Sequence, residues 1–498
     1  MIKFRHLAVM PLIGLLLVSC SLATTTGAGS APEDRTALTV MAPLHFPQKP
    51  SETLIKAIEE GTGTELDIEW VPDGIYTDKM NTALTTGTLK KATFVKYTDY
   101  MFMKSAIRSG AFWEIGPYLD GYPNLRRLNA NILKQTALDG KIYGLYTERP
   151  SSRQGVILRE DWLENLGLKE PRTIDELYEV MRRFAKDDPD GNGIDDTYGL
   201  TDRNDLVFGA FKTLGSYFGT PNNWGVEGHR LVPEFETQAY IDTMNFMKRL
   251  YDEKIVNPDF AVTSKEVQRD MLIRGKAGVY IGSMTDVQRL SDEAAAIDPS
   301  ARFTVVNRIE GPYGYRIWSI PNYNGLYLFS KKAIKTEEEL KRILGFFDRT
   351  MDADIANLMK YGLEGRHYIR KGQQVVLPKE STRLRVMEVN ALYTLMIADL
   401  SNPNLMKIAE QEPLTEKAER LSADNEKFIV KDPTVNLESV TYDERNAELN
   451  KIISDATYHY ILGKLDVAGF KREIERWKQS GGNRIIEEFT QAYFGPAS

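Results

Sequence analysis

The sequence predicts an α/β fold of two lobes with a helical C-terminus, and three observations predict it. Even without an apolar leader, a chain of 498 residues is well beyond the size at which a single core stops growing, so at least two lobes are expected. Strand and helix patterns alternate at the spacing of a parallel sheet with crossover helices. The last part of the chain carries only helical stripes.

Leu38–Ala42 is a short apolar run that reads as a buried strand. Ser51 offers an N-cap, Leu54, Ile55, Ala57 and Ile58 share one helical face, and Gly61 is placed to close the helix. Leu66–Trp70 alternates with period two, as a half-buried strand does. A second helix from about Tyr76 to Leu84 and a strand at Ala92–Val95 complete the first unit. Ile142–Tyr146 and Gly155–Leu158 are further strands. Thr173 and Glu176 form a capping box ahead of Leu177, Val180, Met181 and Phe184. Helices follow near Ile241–Leu250 and Val267–Ile273, then strands at Ala277–Ile281 and Phe303–Val306. Thr336 caps a helix bearing Leu340, Ile343, Leu344 and Phe347. Three C-terminal stripes close the chain: Leu449 to Tyr460; Phe470, Ile474 and Trp477, stopped by Gly481-Gly482; and Ile485 to Tyr493. Amphipathic helices normally bury such faces, so these read as core.

The N-terminus reads as an export leader. Lys3 and Arg5 precede an apolar run from Leu7 to Val18, shorter than the ~20 residues a spanning helix needs. It ends in Leu17-Val18-Ser19-Cys20, a lipobox-like pattern, and Cys20 is the only cysteine in the chain. One thiol closes no intrachain disulfide and builds no cysteine metal site. Lipid attachment is its expected use, with more than one acyl chain for stable anchoring. The alternative is a plain secretory leader with an incidental cysteine. The small polar stretch after Cys20 reads as a tether.

Composition is ordinary, at 42% hydrophobic and 27% charged, and the net charge of -7 argues against a nucleic-acid partner. The sharpest local motif is Asp188-Pro-Asp190-Gly-Asn192-Gly193-Ile194-Asp195-Asp196. Oxygen donors recur at alternate positions, with a glycine at the sharp turn and Ile194 placed to offer a carbonyl, as in a calcium loop. The bidentate Glu that ends an EF-hand is replaced by Gly199, so a structural calcium is expected and a calcium switch is not. The alternative is an acidic, glycine-rich turn with no metal. The five histidines (His6, His45, His229, His367, His459) are scattered without zinc spacing. Neither a Gly-x-Ser-x-Gly elbow nor a P-loop is present. Two carboxylates suffice for a glycosidase, so a secreted, lipid-anchored glycoside hydrolase or polysaccharide lyase remains the second reading, and a sensor or adhesin the third.

Together with Asp139–Gly144, Arg159–Gly167, Tyr361–Gly365 with His367-Tyr368, and Trp477–Gly482, these pieces resemble the extracellular solute-binding lipoproteins of carbohydrate ABC importers. The branch resembled is the large Gram-positive type related to alginate-oligosaccharide binders. The resemblance implies a type II periplasmic-binding-protein-like fold with crossing hinge segments. It implies a leader over 1–19, a lipidated tether over 20–36, an N-terminal lobe of 37–148 and 313–375, and a C-terminal lobe of 149–312 and 376–498. It also implies a non-enzymatic, monomeric receptor on the outer face of the cell membrane that delivers an oligosaccharide to a permease. Calcium would be held by Asp188, Asp190, Asn192, Ile194 and Asp196. A further family ligand position falls on Thr197, which weakens the set. The family's usual acid after the second helix is replaced by Lys90-Lys91, either favouring an anionic glycan or marking two solvated lysines. Sugar-binding candidates in loops after strands are Tyr97, Tyr146, Arg153, Trp224, Met284 and Trp318; for each, ordinary core packing is the alternative.

Overall fold

The computed structural model describes residues 36–495, apart from Asn436 and the side chain of Met101. The leader, Cys20 and the tether lie outside the described residues, except that Thr36, assigned to the tether, opens the first strand.

The chain starts in the first lobe with β1 (Thr36–Leu44), α1 (Glu52–Thr62), β2 (Thr64–Pro72), α2 (Asp73–Thr86), β3 (Ala92–Lys96), α3 (Tyr97–Arg108) and β4 (Gly144–Glu148). Ser51 caps α1 as expected, its Oγ accepting from Leu54 N. The closing glycine is Gly63, at φ 64°, rather than Gly61. A left-handed residue after the last turn terminates the helix, whereas Gly61 sits inside it, where an added Cβ would strike Ile355.

The chain then crosses to the second lobe, which holds β5 (Gln154–Arg159), α4 (Ile174–Lys186), β6 (Tyr198–Thr201), α5 (Ala210–Phe218), α6 (Gln238–Asp252), α7 (Lys265–Ile273), β7 (Ala277–Ser283) and β8 (Phe303–Val306). Thr173 Oγ1 accepts from Glu176 N, and Glu176 reaches back to Arg172 N. The chain returns to add β9 (Tyr323–Phe329) and α8 (Glu337–Arg349) to the first lobe. It ends in α9 (Pro413–Asn425), α10 (Val440–Ile461), α11 (Val467–Trp477) and α12 (Asn483–Phe494).

The first sheet has the order β2-β1-β3-β9-β4, and the second β8-β5-β7-β6. β1 runs parallel to β2 and β3, but β9 is antiparallel to both β3 and β4. In the second sheet only β6 and β7 pair in parallel. The expected parallel sheet is therefore half right. The strand that returns from the other lobe enters each sheet without a crossover helix, so nothing forces it parallel.

Each sheet has its own apolar core. Leu38, Val40, Phe94, Tyr146, Tyr327 and Phe347 belong to the first; Trp162, Phe184, Trp224, Trp318, Phe470 and Trp477 belong to the second. The lobe boundaries shift from those expected. Ile317 and Trp318 pack in the second core, while Val389, Leu392 and Leu395–Ala398 pack in the first. Gly481-Gly482 ends the helical run as expected: a turn over Lys478–Gly482, with Gly481 non-helical at φ 135°, makes the kink between α11 and α12.

Two of the segments that cross between the lobes hold each other. Ile320 N donates to Ser151 O at 2.9 Å and Arg149 N donates to Asn322 O at 3.1 Å. Asn322 Nδ2 donates to Ser151 Oγ at 2.7 Å.

Candidate functional site

The main cavity, of about 870 Å³, is lined by both lobes. It opens where several strands end: β1 runs out into His45 and Phe46, β3 into Tyr97, β4 into Arg149, and β6 into Arg203. Open α/β sheets place ligands at such strand ends. Its volume lies within the range of ~300–1,000 Å³ usual for ligand clefts. Phe46, Tyr97, Phe208 and Tyr393 supply partly exposed aromatic rings.

The charges on its walls divide into two sets. Each cleft carboxylate is already matched. Asp73 faces Lys96 Nζ at 2.5 Å and His45 Nδ1 at 3.4 Å, and hydrogen bonding from His45, then Lys96, holds its carboxyl well below the usual range. Asp205 pairs with Arg203 at 3.1 Å and Asp286 with Arg269 at 2.6 Å. Three cations remain with no carboxylate within ion-pair distance among the described residues: Arg149, Arg153 and Lys265. The Nε atoms of Arg149 and Arg153 are buried without any hydrogen-bond partner. Burial, then the like charge of Arg153, pushes the Arg149 guanidinium down to about 9, so it remains charged at neutral pH. Burial likewise pushes Arg153 down. Burying a charge unpaired is costly, so this cavity carries an electrostatic deficit that an anion would remove.

Of the six sugar-binding candidates, the structure brings Tyr97 and Arg153 to the cleft. The other four are corrected to core positions. Tyr146 is fully buried in the first core, its hydroxyl accepting from Asn129 N at 2.8 Å. Trp224 packs against Phe489 and Trp477. Met284 lies under β5, so close that a Cβ on Gly155 would meet its sulfur at 2.5 Å. Trp318 donates Nε1–H to Thr213 Oγ1 and packs behind Phe208, which does line the cleft. Large rings serve core and cleft equally well, so residue type could not separate them. Arg149 was missed, although a signal existed: from Arg149 to Arg159 the chain has three arginines and no acid. Lys90 and Lys91 are not in the cleft. Lys90 lies 3.5 Å from Asp67 and Lys91 2.8 Å from Glu339, so they carry no argument about ligand charge.

The acidic loop lies on the second lobe beyond α4. Asn192 Nδ2 donates to Asp190 Oδ2 at 2.9 Å and to Asp196 Oδ1 at 3.4 Å. Asp188 accepts from Asn192 N and Gly193 N. Burial and the facing Asp188 push the Asp190 carboxyl up, a repulsion a cation would relieve. The donors are all oxygen, as calcium requires. Two contacts compete: Lys276 holds Asp196 Oδ2 at 2.6 Å, and Ile194 O accepts from Asp196 N at 3.1 Å. Among the described residues, no three His, Cys, Asp or Glu side chains are gathered closely enough to form a metal cage by themselves. Thr197 is buried, and its Oγ1 donates to Phe184 O at 2.8 Å.

The family described as bacterial extracellular solute-binding protein matches residues 48–332. The polygalacturonan/rhamnogalacturonan-binding protein YtcQ of Bacillus subtilis (strain 168) is 44% identical, over 99% of this chain and 99% of its own. Lipoprotein LipO of the same organism is 35% identical, over 97% of each. Among solved structures, the alginate-binding protein AlgQ2 without calcium ion superposes with a TM-score of 0.71 at 17% identity, covering 93% of this chain and 99% of that one. That last likeness concerns the fold, a type II two-lobed architecture.

Proposed function

Because the chain belongs to the bacterial extracellular solute-binding proteins, we propose that it is a receptor that takes an oligosaccharide bearing uronate carboxylates into its cleft and presents it to an ABC import permease. The observation that carries this reading is the cleft itself: rings from both walls, every carboxylate matched, and cations left over in a chain of net charge -7. Aromatic faces suit sugar C–H surfaces, and the surplus charge suits an acidic glycan. The name of the relative YtcQ, matched end to end, supports the same ligand class.

Two further parts belong to the proposal. Cys20 would carry the acyl anchor that holds the receptor outside the cell; the leader pattern and the kinship with Lipoprotein LipO support this. Among the described residues, no helix is long and apolar enough to cross a membrane. Calcium would be held by Asp188, Asp190, Asn192, Ile194 and Asp196, stiffening the loop after α4; the all-oxygen donor set and the raised Asp190 support it.

Calorimetric titration of the purified protein with acidic and neutral oligosaccharides, followed by mass analysis of the recovered sugar, tests the reading. We expect binding of galacturonate oligomers and recovery of the ligand intact. Cleaved or unsaturated products would establish the hydrolase or lyase alternative instead.

A further inference from the structure

We infer that Arg149 and Arg153, on the segment crossing between the lobes, form a carboxylate subsite that selects uronate-bearing from neutral oligosaccharides. The inference rests on the receptor reading above and assigns its charge selectivity to two residues.

The geometry is specific to this segment. Arg149-Pro-Ser-Ser-Arg153 links β4 of one sheet to β5 of the other. Its backbone is committed at both ends: Arg149 N donates to Asn322 O, and Arg153 O accepts from Met284 N at 2.8 Å. Both side chains therefore stand on a fixed backbone segment and line the cavity. Among the described residues, neither guanidinium reaches a carboxylate, and each leaves its Nε buried and unpartnered. The other cleft arginines do not share this state. Arg203 and Arg269 are paired with Asp205 and Asp286, and Arg289 with Glu293 at 2.8 Å. A planar carboxylate offers two acceptor oxygens to guanidinium donors, whereas a sugar hydroxyl carries no compensating charge. The location adds a consequence. A carboxylate bound at the crossing offsets half of the paired positive charge where the lobes meet, so an acidic ligand should stabilise the folded protein more than a neutral one of equal size.

The test uses the whole protein with two probes: trigalacturonate and its carboxyl-reduced counterpart. The readout is the ratio of their affinities by calorimetry, for the wild type, R149Q, R153Q and the control R316Q. Arg316 also has a buried, unpartnered Nε but is not part of the cleft lining. The ratio should fall by about tenfold or more in each cleft variant, the scale of losing a charge-assisted hydrogen bond, and hold in R316Q. The ligand-free melting temperature of R149Q should rise, because an unpaired buried charge is removed; a merely structural arginine would lower it. An unchanged ratio in both cleft variants overturns the subsite and leaves the receptor reading standing, since the wild type still binds. A wild type that binds neither sugar overturns both.

Discussion

The two ends of strand β5 treat a buried arginine in opposite ways. At the far end, Arg159 is 3% exposed and fully matched: Nε and Nη2 meet the two oxygens of Asp161 at 2.8 and 2.5 Å, and the guanidinium lies 4.8 Å over the Trp162 ring. At the near end, Arg153, with Arg149 just before it, has no such partner. The same residue type is thus satisfied within the strand, where it serves the fold, and left unsatisfied just before the strand, where it faces the cavity. The protein accepts an electrostatic cost in the cleft that it avoids a few residues away. The acidic loop shows the same logic with the sign reversed: its carboxylates face one another, and among the described residues Lys276 alone forms an ion pair with them.

The largest expected effect lies at the satisfied end. R159A leaves Asp161 buried without its partner and should cost ~3–5 kcal/mol in chemical denaturation. A loss under ~1 kcal/mol would mean that the pair behaves as a surface ion pair, and the contrast along β5 would collapse.

A second test concerns Asp202, a buried carboxyl between the two extremes. Its Oδ1 accepts from Ala210 N at 3.0 Å, yet burial pushes its pKa up to about 7. The folded protein thus holds this proton more tightly than the unfolded chain, whose value is ~3.9. The folded-state stability associated with the proton is present at low pH and is lost as pH rises from ~4 through about 7. D202N should therefore stabilise the protein at pH 8 by ~2–4 kcal/mol, with the gain fading towards pH 4. A gain independent of pH would show that ionisation is not the cause.

The smallest effect is that of the proposed calcium. Added at ~100 times its dissociation constant, it should stabilise by ~2.7 kcal/mol, read as a melting temperature that rises with calcium and falls with chelator. D190N should abolish the response. A melting temperature indifferent to both would remove the metal from the account.

The fold was largely legible in the sequence, because its signals are local. The Thr173 and Thr336 caps and the stripes of α4 and α8 announce themselves by spacing. β9 did not: Tyr-Asn-Gly-Leu-Tyr-Leu-Phe is nearly all buried, so it shows no alternation, and its place between β3 and β4 depends on a chain that has left the lobe and returned. The site was legible only in part. Tyr97 follows a recognisable strand, but whether Trp224 or Trp318 lines a groove or fills a core is settled by tertiary packing. Arg149 and Arg153 owe their significance to what is absent around them, and that absence appears only once the carboxylates of both lobes have been placed.

The most direct test is a crystal structure of the protein with bound trigalacturonate. The account predicts a sugar carboxylate within hydrogen-bond distance of the Arg149 and Arg153 guanidinium groups and a sugar ring against Tyr97. A sugar lying with its carboxylates turned to solvent, or seated away from the crossing segment, would contradict it.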